Sequence, residues 1–159
     1  MARLVRAGDG PVFQSTAPEW LEDLLLRGPL GRIRLHDEDR HCIDFADRLR
    51  EAALLGRLRA TFTHIPHEVG GGTKNAGLRY ALAKALGLVT GSADYVFVWE
   101  GGGGWIEFKR PGAPGKPVGR LTVSQRHFGR WCESQKVNWR VAHTADEGFA
   151  ILSEWGVFD

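Results

Sequence analysis

The sequence predicts an α/β fold, a small mixed β-sheet containing a hairpin and flanked by helices. Three observations carry this. Apolar residues recur at three- and four-residue spacing on both sides of the middle of the chain, the mark of helices with one buried face. The middle itself holds two β-type runs, Asp94-Tyr95-Val96-Phe97-Val98-Trp99 and Trp105-Ile106-Glu107-Phe108-Lys109, joined by Glu100 and the glycines 101–104. The resulting order of helix, strand, helix, hairpin, helix, strand, helix interleaves the two kinds of element, and no internal repeat is visible.

Residues 1–35 read as an accessory segment. Pro18-Glu19-Trp20-Leu21-Glu22-Asp23-Leu24-Leu25-Leu26 has the pattern of a short helix with proline in its first turn, and Gly28-Pro29 stops it. Asp37 is placed to cap a second helix running to about Leu55, with Cys42, Phe45, Leu49 and Ala52 along one stripe. Glu38 lies on the same stripe in the first turn. A short strand is expected over 61–65, a glycine loop at 70–72, and a helix over 76–86 closed by Gly87. The segment 111–119 holds three prolines and three glycines and must be a loop. Thr122 caps a helix to about Gln135 with Phe128, Trp131 and Cys132 inward. A strand over 138–143 and a helix over 145–155 close the chain. Trp99 and Trp131 are expected in the core.

Composition bounds the function. A chain of 159 residues is one domain's worth and buries a core without metal or disulfide support. With 43% hydrophobic and 25% charged residues it fits neither a disordered nor a fibrous protein. No apolar run is long enough for a membrane span, and the first ten residues lack the apolar core of a signal peptide. Two cysteines, Cys42 and Cys132, make no disulfide framework, so a reducing, cytoplasmic compartment is expected. The formal net charge is only +2, but residues 105–140 carry eight Lys and Arg against two acids. Residues 143–159 carry four acids and no Lys or Arg. A basic stretch beside an acidic tail points to a polyanionic partner, with a solvated charged face as the other reading.

The hairpin brings the chemistry together. If Glu100 pairs with Trp105 across a four-residue glycine turn, then Tyr95, Phe97 and Trp99 share an apolar face with Ile106 and Phe108. Burial of that face fixes the register, because a slip by one residue turns it to water. The opposite face then gathers Asp94, Glu107 and Lys109. Two carboxylates, with the Phe108 carbonyl, offer hard oxygen ligands to Mg²⁺ or Mn²⁺, and a lysine beside the ion can orient or deprotonate a water and offset charge on a phosphate. The chemistry that fits is metal-dependent phosphodiester hydrolysis. Plain cross-strand ion pairs, Glu107 with Lys109 or Asp94 with Arg110, are the competing account of the same residues.

These residues resemble a known pattern. Asp94 followed by Glu107-Phe108-Lys109 is similar to the Asp … (Asp/Glu)-x-Lys signature of restriction-endonuclease-like nucleases. Within that superfamily the chain resembles the virus-type replication-repair nuclease (VRR-NUC) family. The segments His64-Ile65-Pro66-His67-Glu68, Lys84-Ala85-Leu86-Gly87 to Gly91-Ser92-Ala93-Asp94, Ile106 to Gly112, and Leu121-Thr122-Val123-Ser124-Gln125 follow the family's motifs in order. The resemblance spans about residues 36–156. His67 stands where the family often has Asn, which leaves roles for His67 and Glu68 open.

The resemblance implies a mixed sheet with a helix on each side. It implies Asp94 and Glu107 as metal ligands, Lys109 as the catalytic lysine, and Gln125 as an active-site glutamine. Glu38 is similar to a third carboxylate near the metal, with complementing a helix dipole as its other role. Gln125 could equally be a polar residue of a first turn. The implied activity is a Mg²⁺- or Mn²⁺-dependent DNA endonuclease without a nucleotide cofactor. The implied substrate is branched DNA such as Holliday junctions, cut by a homodimer, and a phage or prophage source fits. A nuclease on linear or flap DNA and a non-catalytic DNA-binding module are the alternatives. Contacts to DNA are expected from Lys74, Arg79, Trp105, Arg110, Lys116, Arg120 and Arg126. Other patterns carry less. Gly70-Gly71-Gly72-Thr73-Lys74 lacks Walker spacing, glycines 101–104 lead into a strand rather than a helix, and His64-x-x-His67 is a weak zinc signal. Ser124 has no His and Asp at triad spacing.

Overall fold

A computed structural model describes residues 2–4, 13–25, 27, 35–66 and 76–158. Along the chain run β1 (Ala2–Leu4), β2 (Phe13–Ser15), α1 (Glu19–Leu25), α2 (Asp37–Leu54), β3 (Ala60–His64) and α3 (Ala76–Ala85). They are followed by β4 (Tyr95–Trp99), β5 (Gly102–Phe108), α4 (Val123–Ser134), β6 (Asn138–Ala142) and α5 (Ala145–Glu154). From α2 onward the order is the expected one, with ends shifted by a residue or two except that β5 begins three residues early, at Gly102. The pair β1–β2 is an addition, since strands of three residues are too short to show periodicity. Ser15 Oγ donates to the Leu54 carbonyl at 3.2 Å and ties this segment to the end of α2.

The main sheet has the order β3-β4-β5-β6. The first two pairings are antiparallel and β5–β6 is parallel. A parallel pair needs a crossover, which the 109–122 loop and α4 supply. The sheet is therefore mixed, with helices on both faces. On one face α2 and α5 cover Tyr95, Phe97, Ile106, Phe108 and Ala142. Phe45 of α2 sits at the centre, 5.2 Å from the Tyr95 ring and 5.0 Å from that of Phe108. On the other face α4 seats Phe128 and Cys132 against Ala93, with Trp105 and Trp139 packed alongside.

The hairpin register differs from the expected one. Trp99 pairs with Gly102 and Tyr95 with Ile106, so the turn is Glu100-Gly101 and the other glycines belong to β5. Gly101 takes φ +80°, which the turn requires and glycine permits. Gly102 and Gly104 are strand residues because aromatic rings lie over them. A Cβ on Gly104 would stand 2.6 Å from the Trp155 ring, and one on Gly102 would stand 2.7 Å from the Trp99 ring. Relative to the expected register the strands have moved by four residues. An even shift keeps every side chain on its face, so the apolar face is buried as expected. It also brings Asp94, one step beyond the Tyr95–Ile106 pair, opposite Glu107.

Two further expectations are corrected. The N-cap of α2 is His36, not Asp37. The Asp39 carboxylate accepts the His36 N–H at 2.7 Å, and Asp37, Glu38 and Asp39 fill the first turn near the positive end of the helix dipole. Trp131 is not core. It is 53% exposed, because Phe128 and Cys132 already fill the inward side of α4. Thr122 does cap α4, accepting the Gln125 N–H at 3.2 Å. Cys42 and Cys132 are both free, and no helix among the described residues is long and apolar enough to cross a membrane.

Candidate active site

A cleft of about 570 Å³ opens at the end of β5 where the N-termini of α2 and α4 meet. Glu38 and Asp39 line it from α2, Thr90, Gly91, Ser92 and Asp94 from the turn entering β4, and Thr122, Ser124 and Gln125 from the start of α4. Lys109 projects into it from the strand end. The first turn of α4 holds no acid and presents its positive dipole end to the cleft, whereas Asp37, Glu38 and Asp39 outweigh that of α2.

Beneath the cleft lies Glu107, fully buried. Its Oε1 takes two donors, Lys109 Nζ at 2.5 Å and Gln125 Nε2. Its Oε2 is buried and has no hydrogen-bond partner among the described residues. An unpaired carboxylate oxygen in the interior is costly. Burial, then repulsion from Asp94, pushes the Glu107 carboxyl up to about 7, despite the opposing pull of Lys109. Burial pulls the Lys109 ammonium down, but the hydrogen bond and charge of Glu107, with Glu38 and Asp94, outweigh it and the net direction is upward. Lys109 is therefore held as a cation.

The supporting contacts come from the local backbone. Asp94 Oδ2 accepts the Phe108 N–H at 2.7 Å. In an extended strand a residue's N–H and C=O point to the same edge, so the Phe108 carbonyl also faces the Asp94 side, as a ligand role requires. Glu38 Oε2 accepts the Arg110 N–H at 2.9 Å and fastens α2 to the strand end. Gln125 Oε1 accepts the Thr122 N–H at 2.9 Å while its amide nitrogen reaches Glu107, so one side chain both caps α4 and grips the buried acid. Gly91, at φ +84°, lets the α3–β4 turn approach this cap: a Cβ there would lie 2.4 Å from the Ser124 carbonyl carbon. Burial, with the charges of Asp94 and Glu38, raises the Cys42 thiol, which lines the cleft as a neutral group.

No family model, curated protein or solved structure matches the chain. What the cleft can do is therefore read from its own residues.

Asp94, Glu107, Lys109, Gln125 and Glu38 converge as the sequence reading requires. The expected DNA-contact residues are more scattered. Arg79, Lys116, Arg120 and Arg126 are exposed. Lys116 Nζ lies 3.9 Å from Asp37, and Arg126 Nη1 donates to the Leu121 carbonyl at 2.7 Å. Arg110 is half-buried and donates to the Pro117 carbonyl at 2.7 Å rather than pairing with Asp94. Trp105 is half-buried, 5.1 Å from the Phe128 ring under α4, and does not line the cleft. Its alternation with Ile106 puts it on the acid-bearing face, and α4 covers that part of the face. Lys74, His67, Glu68 and the glycine loop at 70–72 lie outside the described residues. Tyr80 and Thr90, which the sequence reading passes over, join across the cleft wall through their hydroxyls at 3.1 Å.

Among the described residues no three His, Cys, Asp or Glu side chains form a ready ligand cluster. What the site offers is two carboxylates and a backbone carbonyl, with Glu38 nearby. That hard, partial oxygen set suits an ion that keeps several of its waters, as Mg²⁺ and Mn²⁺ do. The unpaired Glu107 Oε2 fits the same ion.

Proposed function

We propose that this chain is a Mg²⁺- or Mn²⁺-dependent DNA endonuclease with a restriction-endonuclease-like core, of the virus-type replication-repair nuclease kind. The observation that carries the reading is the divided Glu107 carboxylate, with one oxygen held by Lys109 and Gln125 and the other buried without a partner among the described residues. The large majority of buried side-chain oxygens are paired, and this one lies beside a second carboxylate, Asp94, which Glu22, the other buried acid with an unpaired oxygen, does not share. Asp94, Glu107 and the Phe108 carbonyl would hold the ion, with Glu38 as an additional carboxylate. When bound, a divalent cation polarises the phosphate and lowers the pKa of a coordinated water.

The chain's own groups do the rest. Lys109, protonated beside Glu107, offsets charge developing on the phosphate; as a cation it is a poor base. Gln125 holds the Glu107 carboxylate in one orientation. The acid-free N-terminus of α4 attracts the phosphate backbone. The substrate we favour is branched DNA such as a four-way junction, cut by a homodimer, because one small site cuts one strand and two-fold symmetry pairs the cuts.

Incubation with synthetic four-way junctions, flaps, linear duplex and supercoiled plasmid tests this, with Mn²⁺ or EDTA and with Glu107→Ala. Cleavage of the junction is expected, lost in EDTA and in the variant. Cleavage that survives either treatment sinks the proposal. Preference for flaps or linear DNA overturns the substrate alone, and binding with no cleavage assigns a DNA-binding module.

A further inference from the structure

The outer side of α4 carries a surface that the cleft does not use. Arg126, His127 and Arg130 are exposed there, and Glu133 is the helix's one acid. Trp131 stands half in water, fixed by an edge-to-face contact with Phe128 at 5.9 Å and 76°. At about 100° per residue, Ser124, His127 and Trp131 fall in one row. Ser124 lines the cleft, so the row starts at the site and reaches Trp131 two turns away, about 10 Å along the axis. Arg126 and Arg130 form a second row, one turn apart and roughly 110° round the helix from the first, and Arg126 is steadied by its bond to the Leu121 carbonyl.

We propose that this face binds single-stranded DNA next to the cleft, with phosphates on Arg126 and Arg130 and an unpaired base stacked on Trp131. The proposal rests on the reading of the cleft as a nucleic-acid site. Charge decides the partner, since two guanidiniums share the exposed side of α4 with the ring against one acid. The ring decides the strandedness, because a base inside a duplex is covered on both sides and an exposed tryptophan reaches only an unpaired one.

The test uses the full chain in EDTA, so that nothing is cut, with labelled oligo(dT) of about ten nucleotides and a blunt duplex of equal length. Wild-type protein is expected to bind oligo(dT) with quenching of its tryptophan fluorescence. Trp131→Ala should weaken that binding roughly ten-fold and remove quenching, and Trp131→Phe should restore most of the affinity. Replacing Arg126 and Arg130 by Ala should lower the salt slope of single-strand binding by about 1.4. The melting temperature of each variant controls for folding.

Equal affinity of wild type and Trp131→Ala for oligo(dT) overturns the proposal, as does a loss confined to the duplex. A change of sedimentation mass in Trp131→Ala at unchanged DNA affinity also overturns it and assigns the face to a second copy of the chain. The two readings fail separately. Trp131-dependent binding by a protein that never cuts with Mn²⁺ supports this face and sinks the nuclease. Cutting by a protein whose single-strand binding ignores Trp131 does the reverse.

Discussion

Asp94 Oδ2 accepts the backbone N–H of Phe108 at 2.7 Å, so the acid one residue before β4 is latched to the residue directly after Glu107 on β5. A side chain here does the work of a ladder hydrogen bond, and it ties the hairpin register to the position of a site carboxylate. Replacement by Ala removes the latch and leaves a strand N–H without its acceptor, a loss of about 1–3 kcal/mol. Replacement by Asn keeps an oxygen acceptor and removes the charge. Asp94→Asn is therefore expected to retain most stability in urea melts, whereas both variants lose cleavage by roughly a hundred-fold or more. An Asp94→Asn protein that cuts normally contradicts the ligand role.

Stability of the metal-free chain should depend on the protonation of Glu107. Its carboxyl is raised from 4.5 to about 7 by burial and by Asp94. A raised carboxyl binds its proton more tightly in the folded state. The stabilisation is fully present below the unfolded value and is lost as pH rises through about 7. The size is on the order of 3 kcal/mol. Denaturant melts from pH 5 to pH 8 should show wild type weakening relative to Glu107→Gln, which has no such titration. A difference that stays flat across that range disproves the burial argument.

Divalent cations should reverse this penalty. A cation that binds the folded site and not the unfolded chain stabilises by mass action, by about 2.7 kcal/mol at a hundred times its dissociation constant. Mn²⁺ and Mg²⁺ are expected to raise the melting temperature of wild type at pH 8 and to leave Glu107→Gln unmoved. Equal shifts in the two proteins place the ion elsewhere.

Gln125 and Thr122 separate capping from chemistry. Both take part in the cap of α4, but only Gln125 touches Glu107. Each Ala variant should lose about 1 kcal/mol of stability. Activity should fall ten-fold or more for Gln125→Ala, a span of about 1.4 kcal/mol, and much less for Thr122→Ala. Equal activity losses tie the effect to the helix start alone.

Gly91→Ala tests the close approach behind the cap. The glycine has φ +84°, and an added Cβ would lie 2.4 to 2.7 Å from backbone atoms of Ser124 and Gln125. Backbone cannot swing aside as a flexible side chain can, so α4 must shift. A destabilisation of about 1–3 kcal/mol is expected, with a fall in activity that Mn²⁺ excess does not restore. Unchanged melting and cleavage rule out the contact.

The sequence by itself determined the order of elements from α2 to α5 and the sorting of the hairpin into two faces. Alternation is a property of the extended backbone, so Tyr95, Phe97, Ile106 and Phe108 had to share one side and Asp94, Glu107 and Lys109 the other, in any register differing by an even step. The cap at Thr122 was equally local. Tertiary structure decided the rest. Glycines 102–104 read as a turn because nothing near them in the chain reports that the ring of Trp155, some fifty residues on, fills the space above Gly104. Trp131 reads as core on periodicity, yet Phe128 and Cys132 leave it no room inside. Which Glu107 oxygen is paired depends on where the N-terminus of α4 lands on the sheet. Local spacing fixes the side from which a group points; contacts between distant segments fix what it meets there.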